Sequence, residues 1–489
     1  MRRPIGLKPG PKRGPEREPD LEPDLEPERL DRLVGDGRVH RRFYTDPAVF
    51  SQELARIFRR AWLWLGHESQ LRRPGDYFTT RMGLERVIVA RHADGRIHAF
   101  HNRCTHRGAE VCASPAGNAA HFECPYHAWT FGTDGSLESV PLAAGYGAAL
   151  EARRASLGLE RVARVASYRG FVFGCLSGAD APGAVDLETF LGPDVRAAFD
   201  NFVERAPDGT LELAGGRTVQ RYRANWKLQI ENSIDLLHPR ILHRNAVEAA
   251  DRLDFGGREP PIEWDVVRSN GLSLREWENM RIAALERGHC WMGGFITKSI
   301  DEAAAGVAPA GQVAPVEPGG WRDLQARYSA QLAVARGEAE AARILAFNRH
   351  NTIVYPNLFI NPRLQQVRIL HPVAVDCTEQ HGYILRLGGA PDAMFEAAVR
   401  TLNTNNSPAS IVTGEDHEVF ERIQSALSLG QEQWVDWSRG LGDESEFRRD
   451  AGDRGHTGNP AARALTGTGT SEVPMRNQHR AWAAYMGAA

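Results

Sequence analysis

The sequence predicts an α+β fold in two unequal parts. A small antiparallel β domain comes first, and a larger domain follows in which helices flank an antiparallel sheet. Three observations predict this. Between residues 76 and 139, strand-like runs with a period of two are punctuated by Asp94-Gly95 and Asp134-Gly135, both hairpin signals. Beyond residue 176, strand-like runs and helical periodicities occupy separate stretches of chain, the mark of segregated layers. Two short pairs of metal-ligating residues fall in what read as loops of the first part.

Residues 1–40 are rich in Pro, Glu and Arg and carry a short repeat, Glu18-Pro19-Asp20-Leu21 then Glu22-Pro23-Asp24-Leu25. They bury too little apolar surface to offset ordering entropy. They read as a disordered tail or, equally, as sequence ahead of a mis-assigned start. Structure is expected from about Phe43. Asp46 can cap a helix with Pro47 in its first turn, and Phe50, Leu54, Ile57 and Phe58 give that helix an apolar face. Val87-Ile88-Val89 and residues 97–100 flank the first hairpin turn, and 129–131 precede the second. Residues 167–176 read as one strand, and 194–202 as a helix after Gly192-Pro193. A strand at 222–226 leads into a helix over 227–238. Residues 300–320 read as a loop and 320–346 as a helix. Three strands follow, at 352–360, 366–373 and 382–387, and then helices at 392–403 and 415–427. The division is therefore a tail (1–40), an N-terminal helix and small β domain (41–175) and a larger domain (176–489).

Composition narrows the function. The chain has 489 residues, 42% of them apolar, and a net charge of −3. Nothing here draws it to nucleic acid or to an anionic membrane. No apolar run approaches the eighteen residues of a membrane span, so a cytoplasmic protein is expected. Cys112, Cys175, Cys290 and Cys377 are scattered and read as free thiols rather than a disulfide framework.

The other two cysteines belong to the most specific pattern in the chain. Cys104-Thr-His106 and Cys124-Pro-Tyr-His127 are separated by seventeen residues. Two thiolates and two imidazoles can hold a [2Fe–2S] cluster, with both Cys on one iron and both His on the other. Neutral imidazole leaves that cluster less negative, so it accepts an electron more readily. A structural zinc site is the rival, but zinc pairs are usually C-x2-4-C or H-x3-5-H.

A second constellation lies at 225–243, N-W-K-L-Q-I-E-N-S-I-D-L-L-H-P-R-I-L-H. On a helix Glu231, Asp235 and His238 share a face. His243 follows His238 by five residues, about 140° away, so a straight helix keeps the imidazoles apart. Pro239 is expected to bend or end the helix and let them meet. Two His and one carboxylate are the facial triad of non-haem Fe(II) oxygenases, which leaves positions open for O2. At Glu415-Asp416, Asp416 shares its stripe with Phe420, Ile423 and Leu427, which makes it the carboxylate aimed inward. Asp235 is placed to accept the other N–H of a ligating His.

Together these residues resemble the large (α) subunit of Rieske-type aromatic-ring-hydroxylating oxygenases. The likeness runs from about Phe43 to Met486. The resemblance implies a Rieske domain and a helix-grip-like catalytic domain, with the cluster on Cys104, His106, Cys124 and His127. It implies a mononuclear Fe(II) on His238, His243 and Asp416. Asp235 would carry electrons between the iron and a cluster histidine, His127, of a neighbouring subunit. Gly469-Thr470-Ser471-Glu472 and Met475-Arg476-Asn477 with Trp482 look like members that pair with a small β subunit, so an α3 or α3β3 assembly is expected. Leu237, where many members carry Tyr, and Pro239 depart from the family's pattern. The respiratory Rieske class carries C-P-C-H, whereas Tyr126 fills that Cys position here.

The chain has no G-x-G-x-x-G fingerprint, so NAD(P)H is used indirectly, through a partner reductase with or without a ferredoxin. The implied reaction is O2-dependent cis-dihydroxylation of an aromatic ring held in an apolar pocket. Three alternatives stay open. A Rieske monooxygenase or demethylase would use the same metals. A pure electron carrier would need only the first constellation, yet 362 residues follow His127. A zinc-binding interaction module would be colourless. Gly293-Gly294 with Trp291 and Met292 could line a pocket, and Arg223, Arg240 or Arg363 could hold a substrate carboxylate.

Overall fold

The computed structural model describes residues 30–294, 318–430, 433–446 and 464–487. Most of the tail, and nearly all of the loop expected at 300–320, lie outside the described residues. Residues 30–40 do not belong to a tail. Leu30, Leu33 and Val39 are buried, and the strand Arg38–His40 pairs with Trp434–Asp436. Its partner lies almost four hundred positions away, so no local pattern announces it.

Asp46 caps the first full helix, Pro47–Glu53, accepting from the Ala48 and Val49 amides, and a π turn, Leu54–Phe58, follows. The small β domain is built from short antiparallel sheets. One has the strand order Ile97–His101, Glu85–Arg91, Asp76–Met82, Ala116–Asn118. A second joins Leu137–Ser139, Thr130–Gly132 and His121–Glu123. Ile88, Phe100, Phe122, Phe131 and the cysteines Cys104 and Cys124 share a small core of their own beneath the loop tips. The run expected as one strand at 167–176 is a hairpin instead. Arg164–Tyr168 pairs with Phe171–Cys175 about Arg169-Gly170, both with positive φ, as a two-residue primed turn requires.

The larger part is organised by a nine-stranded antiparallel sheet. Its longest pairing, at one edge, joins Leu211–Tyr222, Cys377–Leu387 and Gln366–Ala374. The run expected at 352–360 is also a hairpin, Arg349–Val354 with Leu358–Asn361, because Pro356 interrupts the ladder. The helix expected at 320–346 is two, Trp321–Arg336 and Glu338–Ala346, divided at Gly337. The helices Asp392–Asn406 and Ile411–Leu429 lie where they are expected. No helix among the described residues is long and apolar enough to cross a membrane.

A buried charge cluster joins the chain's distant ends to the centre. Glu53, fully buried, accepts from Lys227 Nζ, from Trp226 Nε1 (2.9 Å) and from Trp482 Nε1 (2.7 Å). Beside it Glu231 accepts from Tyr44 Oη (3.0 Å) and contacts His479 Nε2 (2.8 Å). Burial lowers the Lys227 pKa, and Glu53 pulls it back up. Three helices, Pro47–Glu53, Trp226–Asn232 and Val473–Gly487, are pinned at this point. Met475, Arg476 and Trp482 of the C-terminal motif are buried within the chain, with Arg476 donating to the Trp437 and Arg439 carbonyls. Replacing Lys227 by Met should strand the Glu53 carboxylate and cost about 3–5 kcal/mol. The check is the unfolding midpoint in urea: an unchanged midpoint would contradict it, and adding Glu53→Gln should recover part of the loss.

Candidate functional site

The two ligand loops of the small domain are built alike. The Cys104 amide donates to the Ala109 carbonyl and the Gly108 amide to the Cys104 carbonyl; Cys124, Trp129 and Ala128 repeat this pattern at 2.8 and 2.9 Å. Each loop turns back through a left-handed residue, Gly108 (φ 75°) in one and Ala128 (φ 51°) in the other. Only Gly adopts that conformation without strain, so Ala128 is held there by its loop. Asn102 braces the first loop from below, accepting from the Val111 and Cys112 amides and donating to the Cys112 carbonyl.

These loops bring Cys104, His106, Cys124 and His127 to one place. Both thiols are buried, and no cysteine of the chain is in a disulfide. Burial raises the Cys104 pKa, the His106 amide lowers it, and the adjacent Cys124 raises it again. The imidazoles of His106 and His127 lie 4.7 Å apart, and His106 stacks on Trp129 at 4.8 Å. The Nδ1 atoms of both are buried without any hydrogen-bond partner. Unpaired buried nitrogens are costly unless something ligates them. The donor set, two sulfurs and two neutral nitrogens, fits a [2Fe–2S] group of the mixed Cys/His kind.

The second site differs from the sequence expectation in how it forms. The helix expected over 227–238 ends at Asn232. A new helix, His238–Leu242, starts after a five-residue break and carries Pro239 in its first turn, so Pro239 helps to begin a helix instead of bending one. Asp235 Oδ1 makes the break by accepting the Leu237 amide (2.6 Å) and the His238 amide (3.3 Å). Glu231 therefore does not share a face with Asp235 and His238, and it points into the charge cluster. His243 closes the short helix.

His238 Nε2 lies 3.6 Å, and His243 Nε2 3.4 Å, from Asp416 Oδ1. One ligand atom from each residue falls within 4.8 Å of the other two. Asp416 is buried on the helix Ile411–Leu429, in the stripe of Phe420 and Leu427. Burial pushes its carboxyl up to about 7, against the Asn232 hydrogen bond and the Arg368 charge. Burial, then His238, holds the His243 imidazole down near 3, and burial lowers His238 too. Neutral imidazoles and a carboxylate that resists ionising alone suit a divalent iron. Glu415, on the neighbouring stripe, sits 3.0 Å from His243 Nδ1, and the sequence reading missed this orienting role. Asp235 Oδ1 is 4.0 Å from His238 Nδ1.

A cavity of about 120 Å³ opens on the triad. It is a mixed pocket and not the purely apolar one that the sequence suggested: Asn351, Gln366, Arg368, Gln380, Asn405 and Asn406 line it beside Leu236, Val266, Trp277, Met280, Met292, Leu364 and Val412. The three arginines proposed as anchors face elsewhere. Arg223 pairs with Glu421 (2.9 Å), Arg240 donates to the Gly271 carbonyl (2.8 Å) and Arg363 to Asn348 (2.8 Å). The lining arginine is Arg368, whose only sequence signal is a charge inside the strand Gln366–Ala374.

Comparison with known proteins finds a family match over each part of the chain. Residues 61–163 match the Rieske [2Fe-2S] domain, and residues 209–488 match the ring hydroxylating alpha subunit (catalytic domain). The chain is 32% identical over 421 residues to toluate 1,2-dioxygenase subunit alpha of Pseudomonas putida, covering 83% of this chain and 84% of that one. It is 30% identical over 420 residues to the 2-halobenzoate 1,2-dioxygenase large subunit of Burkholderia cepacia, covering 84% and 81%. A solved naphthalene 1,2-dioxygenase with indole in its active site superposes with a TM-score of 0.73 at 27% identity, over 93% and 94% of the two chains.

The raised carboxyl has a consequence for metal uptake. In the metal-free protein Asp416 is protonated below about pH 7, whereas the His243 imidazole stays neutral to about 3 and burial lowers His238 as well. An entering cation must displace that one proton. Ferrous affinity should therefore fall by about tenfold for each pH unit below 7 and level off above it. Fluorescence-monitored Fe(II) titration between pH 5.5 and 8 is the check; a flat profile would refute the protonated carboxyl.

Proposed function

The chain belongs to the ring-hydroxylating α-subunit family of Rieske oxygenases, and from that membership we propose that it is the terminal oxygenase of a multicomponent system that dihydroxylates an aromatic ring with O2. It is an oxidoreductase, with a Rieske [2Fe–2S] cluster and a mononuclear non-haem iron as cofactors. The observation that carries the proposal is the convergence of His238, His243 and Asp416 on one cavity. Electrons would come from a separate reductase. The relatives' names supply the aromatic ring.

When bound, the cluster supplies single electrons and the mononuclear iron supplies the O2-binding centre. Cys104, His106, Cys124 and His127 would hold the first, and His238, His243 and Asp416 the second. The protein's own work is positional. Glu415 holds the His243 ring through Nδ1 and leaves Nε2 to face the metal. Asn232 fixes Asp416 Oδ1 (3.3 Å).

Asp235 has two duties in this reading. Its Oδ1 caps the break before His238, and the side-chain hydrogen bonds and ion pairs it makes among the described residues use that oxygen. Oδ2 is left for a partner, and no contact joins Asp235 to either cluster histidine within the chain, among the described residues. The acceptor is therefore suited to an imidazole, His127 by the family pattern, in a second copy of the chain. A closed ring of three copies, with or without a β subunit, would satisfy each cluster in turn.

Asp235→Asn keeps the cap acceptor but removes the charge. It should leave the cluster's visible spectrum and about three irons per chain intact while lowering substrate-dependent O2 uptake by at least about tenfold to a hundredfold. Undiminished uptake would refute the bridge. Labelling with 18O2 tests the reaction: two labelled oxygens in the product support dihydroxylation, and one assigns a monooxygenase.

A further inference from the structure

Among the described residues that line the triad's cavity, Arg368 is the only Arg or Lys. Its guanidinium is bound by neutral groups alone: Nη1 donates to Asn406 Oδ1 (3.0 Å) and Nη2 to Asn351 Oδ1 (3.2 Å). Both amides are themselves tied down, Asn351 to the Ser233 carbonyl (2.9 Å) and Asn406 to Gln366 (3.3 Å). The Phe359 ring lies 5.2 Å from the guanidinium carbon. No carboxylate oxygen lies within ion-pair distance of Arg368 among the described residues. Burial lowers its pKa to about 10, so it is still a cation at neutral pH.

This half-buried arginine has no carboxylate within ion-pair distance among the described residues. Asp416 is the one acid that acts on it, and Asp416 Oδ1 faces the two imidazoles. The other lining acid, Asp235, lies 3.8 Å from Arg439. A divalent cation on the triad would add two positive charges against the single Asp416 carboxylate. A low-dielectric cavity with that surplus favours an anionic occupant. A guanidinium has five N–H donors in a planar fork, and two are used here, so a carboxylate can be gripped by the rest. Rigid amides on either side fix the fork's plane.

We propose that Arg368 anchors the carboxylate of the substrate, so that the rings taken up in this cavity are aromatic carboxylic acids rather than neutral hydrocarbons. This rests on the oxygenase reading for the ring and on the cavity for the anion. Arg368 orients the ring through its substituent and takes no part in the oxygen chemistry. It is a specificity-determining residue.

The test is calorimetric titration of the oxidised holoenzyme with benzoate, 3-methylbenzoate and 2-hydroxybenzoate, each paired with its carboxamide of nearly equal shape. At least one acid should bind about tenfold to a hundredfold tighter than its amide, the range for a charge-assisted hydrogen bond. Arg368→Gln should erase that preference and leave amide affinity unchanged within about threefold; Arg368→Lys should keep part of it. If no acid outbinds its amide in the wild-type protein, or if the preference survives in Arg368→Gln, the proposal is overturned. The wild-type comparison needs no variant to fold. Turnover with 18O2 separates the two readings. Efficient oxygenation of toluene without acid preference would leave the oxygenase standing and remove the anchor, whereas acid-selective binding without oxygen incorporation would do the reverse.

Discussion

One carboxylate oxygen decides the geometry of the catalytic half. Asp235 Oδ1 takes the Leu237 and His238 amides and so braces the break between two helices. Without that break the two histidines would stand about 140° apart on a common helix. With it, they meet Asp416 from a separate helix within 4.8 Å. The capping strength of a carboxylate at a helix N-terminus, about 1 kcal/mol, is small. It prevails because the preceding helix, Trp226–Asn232, is fixed from the other side by the Glu53–Lys227 pair and by Glu231. The break has one place to go.

Both metal sites follow the same energetic logic. Each gathers donors that the protein leaves only partly satisfied: bare Nδ1 atoms beside Cys104 and Cys124 at His106 and His127, and two lowered imidazoles with a carboxyl displaced to about 7 at the triad. Such groups cost free energy when left alone, and a cation or cluster repays it. The scaffold meets that cost with ordinary packing. The small domain's core under the loops and the nine-stranded sheet behind the cavity hold the donors in place.

Much of this could be read from the residues, and the boundary between legible and illegible has a physical cause. The ligand loops were legible because turn chemistry is local: Asp94-Gly95 and Asp134-Gly135 mark hairpins wherever they occur. The inward choice of Asp416 over Glu415 followed from helical periodicity, and the buried stripe agrees. The hairpin at Arg169-Gly170 was missed because Arg rarely takes a positive φ. The helix break was missed because the run from Glu231 to His238 has no glycine, and only a side-chain cap interrupts it. The strand Arg38–His40 was assigned to the tail because its partner, Trp434–Asp436, is remote. Glu415 beside His243, and Glu53 beside Lys227, are tertiary facts with no sequence signature.

The nature of the cavity shows how far burial class can mislead. Asn351, Gln366, Gln380 and Asn405 are nearly as buried as the leucines around them, yet they form a polar wall. An oxygenase for bare hydrocarbons has no need of such a wall, since amides that find no partner in the ligand cost free energy. Natural cores keep buried amides where something must be recognised or oriented. Here two amides, Asn351 and Asn406, hold one guanidinium, and that guanidinium lines a space shared with the triad. The fold contributes the distance between the two ends of this space, and the chemistry at each end is set by side chains. Ring selection and ring oxidation are thus separate properties of one cavity: substitution at the amide wall can alter which ring enters without moving a single ligand of the metal.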